Sequence, residues 1–286
     1  MGRLKGPFTF TGSIGNIRSY YDKKQKCYIL ATKGGASKEL IENNPSFART
    51  RENMNEFKAC GIWASQIRKS LLPIEQLHTG YYFSEIVALA KRIQKHDDVN
   101  LRGFRSLLSS RDSNLLTMIE FNRTHPFDRV FSSFYEVQLS DDKKTVTLSL
   151  PDFKPFTRLS WPNKFNSYRI SLVIAQLPDY IYSAEDKLYN PVQKNMEQLT
   201  VSAFSPWRPN STEVEDIILQ ASFAEPALQI PGTTVLVAMG IEISSLAPAS
   251  NGNESSFFGT MKIVECFVWF SDFLCMIKTL IKNSSR

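Results

Sequence analysis

The residues that could perform acid–base, nucleophilic or metal chemistry are scattered along this 286-residue sequence. The three histidines, His78, His96 and His125, fall on different predicted segments, and no HxxH or HExxH spacing places two of them on one helix face. No GxSxG motif is present, and the serines lie in turn-like stretches where local hydrogen bonding is their ordinary role. The sequence therefore predicts no metal centre, no cofactor and no enzyme activity.

The four cysteines are Cys27, Cys60, Cys266 and Cys275, and they are too far apart for a zinc ribbon or a CxxC redox pair. Residues 1–10 contain only a broken apolar stretch and lack the continuous core of a secretory signal. We therefore expect reduced, mostly buried thiols and a cytoplasmic protein. Later export by a signal-independent route stays open.

Two groups of carboxylates have spacings that call for an explanation. Glu52 and Glu56 are four residues apart on a predicted helix, but Arg49 and Arg51 are close enough to neutralise them, so a surface ion-pair network is favoured over an acid–base pair. Residues 213–216 read EVED and lack the spacing and glycine of a calcium loop. We interpret them as a solvated strand entrance or as a complement to the basic amino terminus.

Two glycine-containing strings resemble ligand-binding loops only superficially. Residues 33–38 read KGGASK without the GxxxxGK[ST] spacing of a phosphate-binding loop, so they predict a tight turn. Residues 12–15 read GSIG, a GxxG string that lies in a strand-like stretch rather than between helices. Both strings are interpreted as turn glycines.

The composition describes a folded chain that is 42% hydrophobic and 22% charged, which excludes a collagen, a coiled-coil rod, a disordered regulator and a disulfide-stapled miniprotein. The net charge of +6 is unevenly distributed: residues 1–70 carry +8, residues 71–126 carry +1 and residues 127–286 carry −3. This polarity suits an anionic partner or head-to-tail self-association.

Cations alternate with aromatic residues near the amino terminus, a combination that suits stacking on single-stranded nucleic acid. The candidate interaction residues, with two arginines of the first long helix, are Arg18, Tyr20, Tyr21, Lys23, Lys24, Lys26, Tyr28, Arg49 and Arg51. The same aromatics could instead supply the apolar face that a hairpin needs. Trp161, Trp207 and Trp269 among polar loops make glycan binding an equally open alternative.

Three kinds of pattern follow one another along the chain. A β-hairpin is predicted from residues 16–21 and 27–32 around a charged turn, and it needs a sheet or helix to pack on. A long helix is predicted to begin at Asn44-Pro45 and to end before Pro73. Its apolar face is predicted to comprise Phe57, Cys60, Ala64, Ile67 and Leu71. Further helical segments are predicted at residues 82–95 and 113–121.

From about residue 126 the apolar pattern changes to period two. A hairpin is predicted around residues 141–144, and the later strands are predicted at residues 168–175, 198–204, 217–223, 233–244 and 259–270. The fold class is therefore α+β, with an N-terminal β-hairpin and helical segment followed by an antiparallel β-sandwich. The predicted domains are residues 1–125 and 126–286. Residues 263–281 are apolar but contain three charges, which argues against a membrane span.

The stretch from Asn44 to Phe57 resembles the signature PxFxRTRENxxEF of a family of uncharacterised bacterial proteins found especially in Bacteroidota. Residues 12–15, Tyr20-Tyr21 and residues 33–35 resemble the amino-terminal hairpin of that family. The resemblance covers about residues 12–72 and implies a bacterial origin and a hairpin-plus-helix module. It implies no activity, cofactor or catalytic residue.

We favour the hypothesis that the chain is a non-enzymatic structural or assembly protein. In it, the N-terminal strands pack across a neighbouring copy and build a homo-oligomer, ring or filament. The alternative is a ligand-binding module for single-stranded nucleic acid, another polyanion or a glycan. An enzyme with a spatially assembled site is a third class that sequence spacing does not exclude.

Overall fold

The computed structural model describes residues 2–3, 6, 9–32, 34–80, 82–192, 200–211, 213–227, 231–245 and 258–268. Its strands are β1 (Gly2–Arg3), β2 (Gly12–Ile14), β3 (Ile17–Asp22), β4 (Cys27–Thr32), β5 (Glu136–Leu139), β6 (Thr145–Phe153), β7 (Ser167–Pro178), β8 (Tyr180–Ser183), β9 (Leu188–Pro191), β10 (Thr200–Phe204), β11 (Arg208–Pro209), β12 (Glu215–Ser222), β13 (Thr233–Ser244) and β14 (Phe258–Val268). Its helices are α1 (Lys38–Asn43), α2 (Ala48–Ser70), α3 (Tyr82–Lys95), α4 (Phe127–Val130) and α5 (Pro155–Arg158), with 3₁₀ helices at Pro45–Phe47, Leu72–Leu77 and Ser113–Met118. The chain forms two compact units, residues 1–51 and 52–286.

The first unit contains a four-stranded antiparallel sheet in the order β1-β4-β3-β2. The predicted hairpin is confirmed as β3 and β4, which pair from Ile17 opposite Thr32 to Asp22 opposite Cys27. Gly15, with φ +55, begins the two-residue turn between β2 and β3, where glycine adopts a positive φ at little cost. Helix α1 follows and is capped by Ser37.

The long helix begins where its sequence predicts, because the Asn44 side chain accepts a hydrogen bond from the Ser46 amide (2.9 Å) and Pro45 opens the 3₁₀ turn that leads into α2. The prediction that Phe57 belongs to the buried face is wrong, since its side chain is 60% exposed. Cys60, Ala64, Ile67 and Leu71 are buried as predicted, and Glu56 and Trp63 are buried beside them. These buried residues follow the helical repeat. Glu56 can be buried among them because it pairs with Lys91 of α3.

The second unit contains the antiparallel β-sandwich. The larger sheet has the order β10-β7-β13-β14, with β11 also paired to β7, and the smaller sheet has the order β12-β6-β5. Alternate residues of the facing strands meet in one apolar core. That core includes Val146, Leu148 and Leu150 of β6, Ile170, Leu172 and Ile174 of β7, Ile217 and Leu219 of β12, and Val235, Val237 and Met239 of β13. The α+β class and the sandwich are thus as predicted.

The other face of the larger sheet packs against the helices of the second unit. Val173, Leu177, Leu236 and Ala238 share a core with α2, α3 and the 3₁₀ helix Leu72–Leu77. Strands β7 and β13 are therefore covered on both faces, and every residue of β13 is buried.

The predicted domain boundary between residues 125 and 126 falls inside the second unit, because the helical segment and the sheet share this core. The segment at Ser113–Met118 is a 3₁₀ helix, and the hairpin formed by β8 and β9 has no counterpart in the prediction. Within the described residues, no helix combines the length and the apolar character needed to span a membrane.

Candidate interaction surface

The N-terminal hairpin ends in a turn that is fixed by one carboxylate. Asp22 Oδ1 accepts hydrogen bonds from the backbone amides of Lys24 (2.8 Å) and Gln25 (3.1 Å), and Lys26 adopts φ +50. We call residues 22–26 the lysine turn, since Lys23, Lys24 and Lys26 are all exposed there. Three positive charges are thus held at one end of the sheet.

One face of this sheet is mainly apolar and partly exposed. We call it the apolar face, and it consists of Ile14, Ile17, Tyr21, Tyr28 and Leu30, which the pleat and the register place on the same side as the buried Ser19. Ile14 is 67%, Ile17 41% and Tyr21 46% exposed. The rings of Tyr21 and Tyr28 meet edge to face at 5.1 Å. An exposed patch of this kind marks a contact surface more often than an exposed single residue does.

The opposite face of the sheet carries Arg18 and Tyr20, with the Arg18 guanidinium 5.1 Å from the centroid of the Tyr20 ring. Ile29 is buried on this face. The predicted alternation of cations and aromatics is therefore divided among two faces and a turn, and the structure does not bring these residues together as one stacking platform.

The two arginines of the candidate set lie on α2. Arg51 Nη1 donates to the backbone carbonyls of Ile41 (2.7 Å), in the last turn of α1, and of Asn44 (2.9 Å), the residue that follows α1. This contact gives Arg51 a local structural role. Arg49 is exposed on the same helix.

The two carboxylates of α2, Glu52 and Glu56, differ in burial. Glu56 is buried, pairs with Lys91 of α3 and accepts a hydrogen bond from the Gly103 amide (2.8 Å). Burial acts to raise the pKa of Glu56, but the hydrogen bonds from Lys91 and Gly103 outweigh it and leave that pKa below its ordinary value. Glu52 lies 3.6 Å from Arg102. The prediction that arginines on the same helix neutralise Glu56 is wrong, because its cation comes from α3.

Each of the three histidine rings contacts a different residue. His96 Nδ1 lies 2.9 Å from Asp112 Oδ1, and the ring of His125 packs on Trp161 at 4.3 Å. The ring of His78 packs on Tyr82 at 4.2 Å. Among the described residues, no group of three or more His, Cys, Asp or Glu side chains has a geometry that could hold a metal ion.

A cleft of about 600 Å³ opens between the end of α2 and the start of α3, and the sequence reading missed it. Arg68 Nε donates to Glu75 Oε1 (2.7 Å), and the Tyr82 hydroxyl lies 3.4 Å from the same oxygen. Burial lowers the pKa of His78 and raises that of Tyr82. Local spacing gives no signal for this cleft, because His78 lies in extended backbone before α3 begins. Glu75 contacts both Arg68 and Tyr82, and the ring of His78 packs on that tyrosine, so these groups contact one another within the cleft.

Two further buried acids, Asp179 and Glu242, also have side-chain partners within the chain. Asp179 accepts hydrogen bonds from the Ser109 hydroxyl (3.0 Å) and from the Ser110 amide (2.9 Å) and hydroxyl (2.5 Å), while burial raises its pKa. Glu242 on β13 pairs with Arg169 on β7, and burial raises the pKa of Glu242 as well.

The tryptophans proposed for glycan binding are engaged in packing. The guanidinium of Arg169 lies 5.0 Å from the Trp207 ring centroid, and Trp161 packs against the sandwich core. Trp269 lies outside the described residues, as do Cys275 and Lys33. Cys27, Cys60 and Cys266 are free thiols, of which Cys60 is buried.

Comparison with protein-family models and with curated proteins finds no match to this chain. The resemblance of residues 12–72 to a bacterial family therefore stays a prediction.

Proposed function

We propose that this chain is a non-enzymatic assembly protein that associates with further copies of itself through its N-terminal strands, building a ring or a filament. The observation that carries the proposal is the apolar face, whose residues Ile14, Ile17 and Tyr21 are exposed on a small sheet. Ser19 and Ile29 are the only buried residues among the described positions of that sheet. A sheet with so little covered surface gains stability when another surface packs on it.

The energetic gain from covering this face is substantial relative to protein stability. Moving one isoleucine side chain from water into a packed interface contributes about 1.5–3 kcal/mol. The two exposed isoleucines are direct neighbours across the turn, and the exposed Tyr21 lies four residues further along β3 on the same face, beyond the buried Ser19. This is the pattern of an interaction site rather than of scattered surface residues.

The charge distribution supports association between unlike surfaces of two copies. Residues 1–51 contain ten Lys and Arg against three Asp and Glu, whereas residues 52–286 contain 24 against 25. A basic sheet repels an identical basic sheet, so a contact between two N-terminal sheets is disfavoured. A contact between a sheet and a different region of the next copy generates rings or open filaments.

The buried ionisable groups of the second unit support a role without catalysis. Glu56 is held by Lys91, Asp179 by Ser109 and Ser110, and Asp97 by the amides of Val99, Asn100 and Ser106. These contacts stabilise loops and helix packing. They give each group a structural function that needs no substrate.

Light scattering after size exclusion tests the proposal. The full chain is expected to elute as a multimer at micromolar concentration, and both deletion of residues 1–35 and the substitution Ile17→Glu are expected to shift it towards monomer. Phe156→Glu is the matched control, because Phe156 is also an exposed apolar residue but lies in the second unit. A full chain that stays monomeric overturns the proposal.

Binding of single-stranded nucleic acid is the second candidate, and the observation that favours it is the lysine turn with its three exposed cations. Affinity for an oligonucleotide is then expected to fall steeply as salt rises and to drop on reversal of Lys23, Lys24 and Lys26 to Glu. An oligonucleotide that binds equally well to wild type and to the reversed variant excludes this candidate.

A further inference from the structure

The proposed function does not say which surface of a second copy the N-terminal sheet contacts. The second unit contains a surface whose apolar residue and acidic neighbours complement that basic, partly apolar sheet. Strand β12 is one of the two edge strands of the smaller sheet. The residues at its beginning include Glu213, Val214, Asp216 and Ile218, and all four are exposed. We call these four residues the acidic strand end.

Ile218 is a large aliphatic residue on the solvent-exposed outer face of the smaller sheet. Its side chain is 64% exposed, and its direct neighbour across the strand pair is Ser149. The residues around it on this face are polar. They include Glu136, Gln138, Thr145, Thr147, Asp216, Gln220 and Ser222. One large aliphatic side chain is thus surrounded by polar and acidic groups.

The charges around Ile218 are mainly negative. Asp216 lies two residues before it on the same strand, and Glu136 lies in the same row across the sheet, opposite Ser149. Asp152 is tied to this end by its amide, which donates to Asp216 Oδ1 (2.9 Å). Lys154 is the exposed cation nearest in sequence to this end of β6. The surface is an apolar spot with an acidic rim.

The N-terminal sheet has the complementary arrangement. Tyr21 on the apolar face is two residues from Lys23 in the lysine turn, just as Ile218 is two residues from Asp216 on β12. Lys23 directly follows the end of β3, and Asp216 lies at the beginning of β12. Each surface therefore has an apolar residue close in sequence to a charge at a strand end, with opposite signs of charge.

We propose that the apolar face and the lysine turn of one copy dock on the acidic strand end of a second copy, with Ile218 packing on the apolar face and Asp216 and Glu213 facing the lysines. This inference rests on the proposed function, because it names the acceptor for the same N-terminal sheet. The donor and acceptor surfaces differ, so the contact is head-to-tail and repeats from copy to copy.

Charge reversal on each side tests the pairing. One variant carries Lys23→Glu, Lys24→Glu and Lys26→Glu, and the other carries Glu213→Lys and Asp216→Lys. Each variant alone places like charges opposite each other and is expected to associate at least about tenfold more weakly than wild type. An equal mixture of the two restores opposite charges at both contacts, so association is expected to return, which also shows that both variants are folded.

The matched control carries Asp141→Lys and Glu225→Lys, two exposed acids at the opposite end of the same small sheet, and is expected to associate as wild type does. If Glu213→Lys/Asp216→Lys also associates as wild type while Ile17→Glu is monomeric, the acceptor is elsewhere and this inference is overturned, although the proposed function stands. If wild type is itself monomeric, both fall. If each charge-reversal variant associates weakly and their equal mixture does not restore association, the proposed contact between the lysine turn and the acidic strand end is also overturned.

Discussion

Ile14 and Ile17 lie directly opposite each other across the two-residue turn between strands β2 and β3, and both side chains are exposed. A non-polar pair at the end of a small sheet normally anchors that sheet on a core. Here the pair continues into Tyr21 and Tyr28 on the same face. This partly exposed apolar face is the feature from which we argue a function for the chain.

The larger sheet contains a glycine that allows close packing, and we predict that it tolerates no side chain. A Cβ atom on Gly240 would lie 2.4 Å from Ser171 Oγ and 2.8 Å from Leu77 Cδ1. Gly240→Ala is therefore expected to lower the free energy of unfolding by about 1–3 kcal/mol, measured by urea denaturation.

The matched control for Gly240→Ala is Gly61→Ala in helix α2, where a Cβ would meet no atom within 4 Å. This substitution is expected to raise the free energy of unfolding by about 0.5–1 kcal/mol, because alanine restricts the unfolded chain and favours helix. A Gly240→Ala protein as stable as wild type would show that β13 and the 3₁₀ helix Leu72–Leu77 are less closely packed than described.

The pair of Glu56 and Lys91 is predicted to matter mainly because Glu56 is buried. Glu56→Gln is expected to cost about 3 kcal/mol of stability, the lower end of the range for a buried pair, since Lys91 stays partly exposed to water. In a double-mutant cycle, Glu56→Gln combined with Lys91→Met is expected to cost less than the sum of the single changes. Additive losses would mean that the two side chains do not interact.

The same carboxylate gives a pH dependence with a defined sign. The pKa of Glu56 is lower in the folded chain than its ordinary value of 4.5, so its contribution to stability is fully present above that value and is lost as the pH falls through the folded pKa. The stability difference between wild type and Glu56→Gln is expected to be constant near neutral pH and to shrink at acidic pH. A difference that grows on acidification contradicts the assignment.

The thiols are predicted to differ in reactivity. Burial raises the pKa of Cys60 to about 11, and burial together with Glu265 raises the pKa of Cys266. In a Cys275→Ser chain, we therefore expect Cys60, which is fully buried, to react only after denaturant is added, and the half-buried Cys27 to react before it. Alkylation followed by peptide mass analysis identifies them, and rapid labelling of Cys60 in the native protein would contradict the buried position of that thiol.

Much of the fold could be predicted because local patterns determine it. The hairpin of β3 and β4, the helix start at Asn44-Pro45 and strand β13 all agree with the sequence pattern, since turn residues, caps and alternation act over a few positions. The shared core of helices and sheet could not be predicted in this way. It joins residues such as Trp63 and Leu236 that are far apart in the sequence.

The candidate surface was only partly predictable for the same reason. The lysine turn follows from consecutive residues, but the assignment of Tyr20 and Tyr21 to opposite faces required the register of the sheet. The burial of Glu56 likewise depends on Lys91 and Gly103, which lie on other segments. A pattern of hydrophobic spacing does not contain those partners.

The central claim is tested most directly by the mass of the native full chain in solution, measured by light scattering at micromolar concentration beside the Ile17→Glu variant. The chain has a mass of 32.6 kDa. The account predicts a multiple of this mass for wild type, and the single-chain mass for Ile17→Glu. Wild-type protein at the single-chain mass, or a multimer that Ile17→Glu leaves unchanged, would contradict association through the N-terminal sheet.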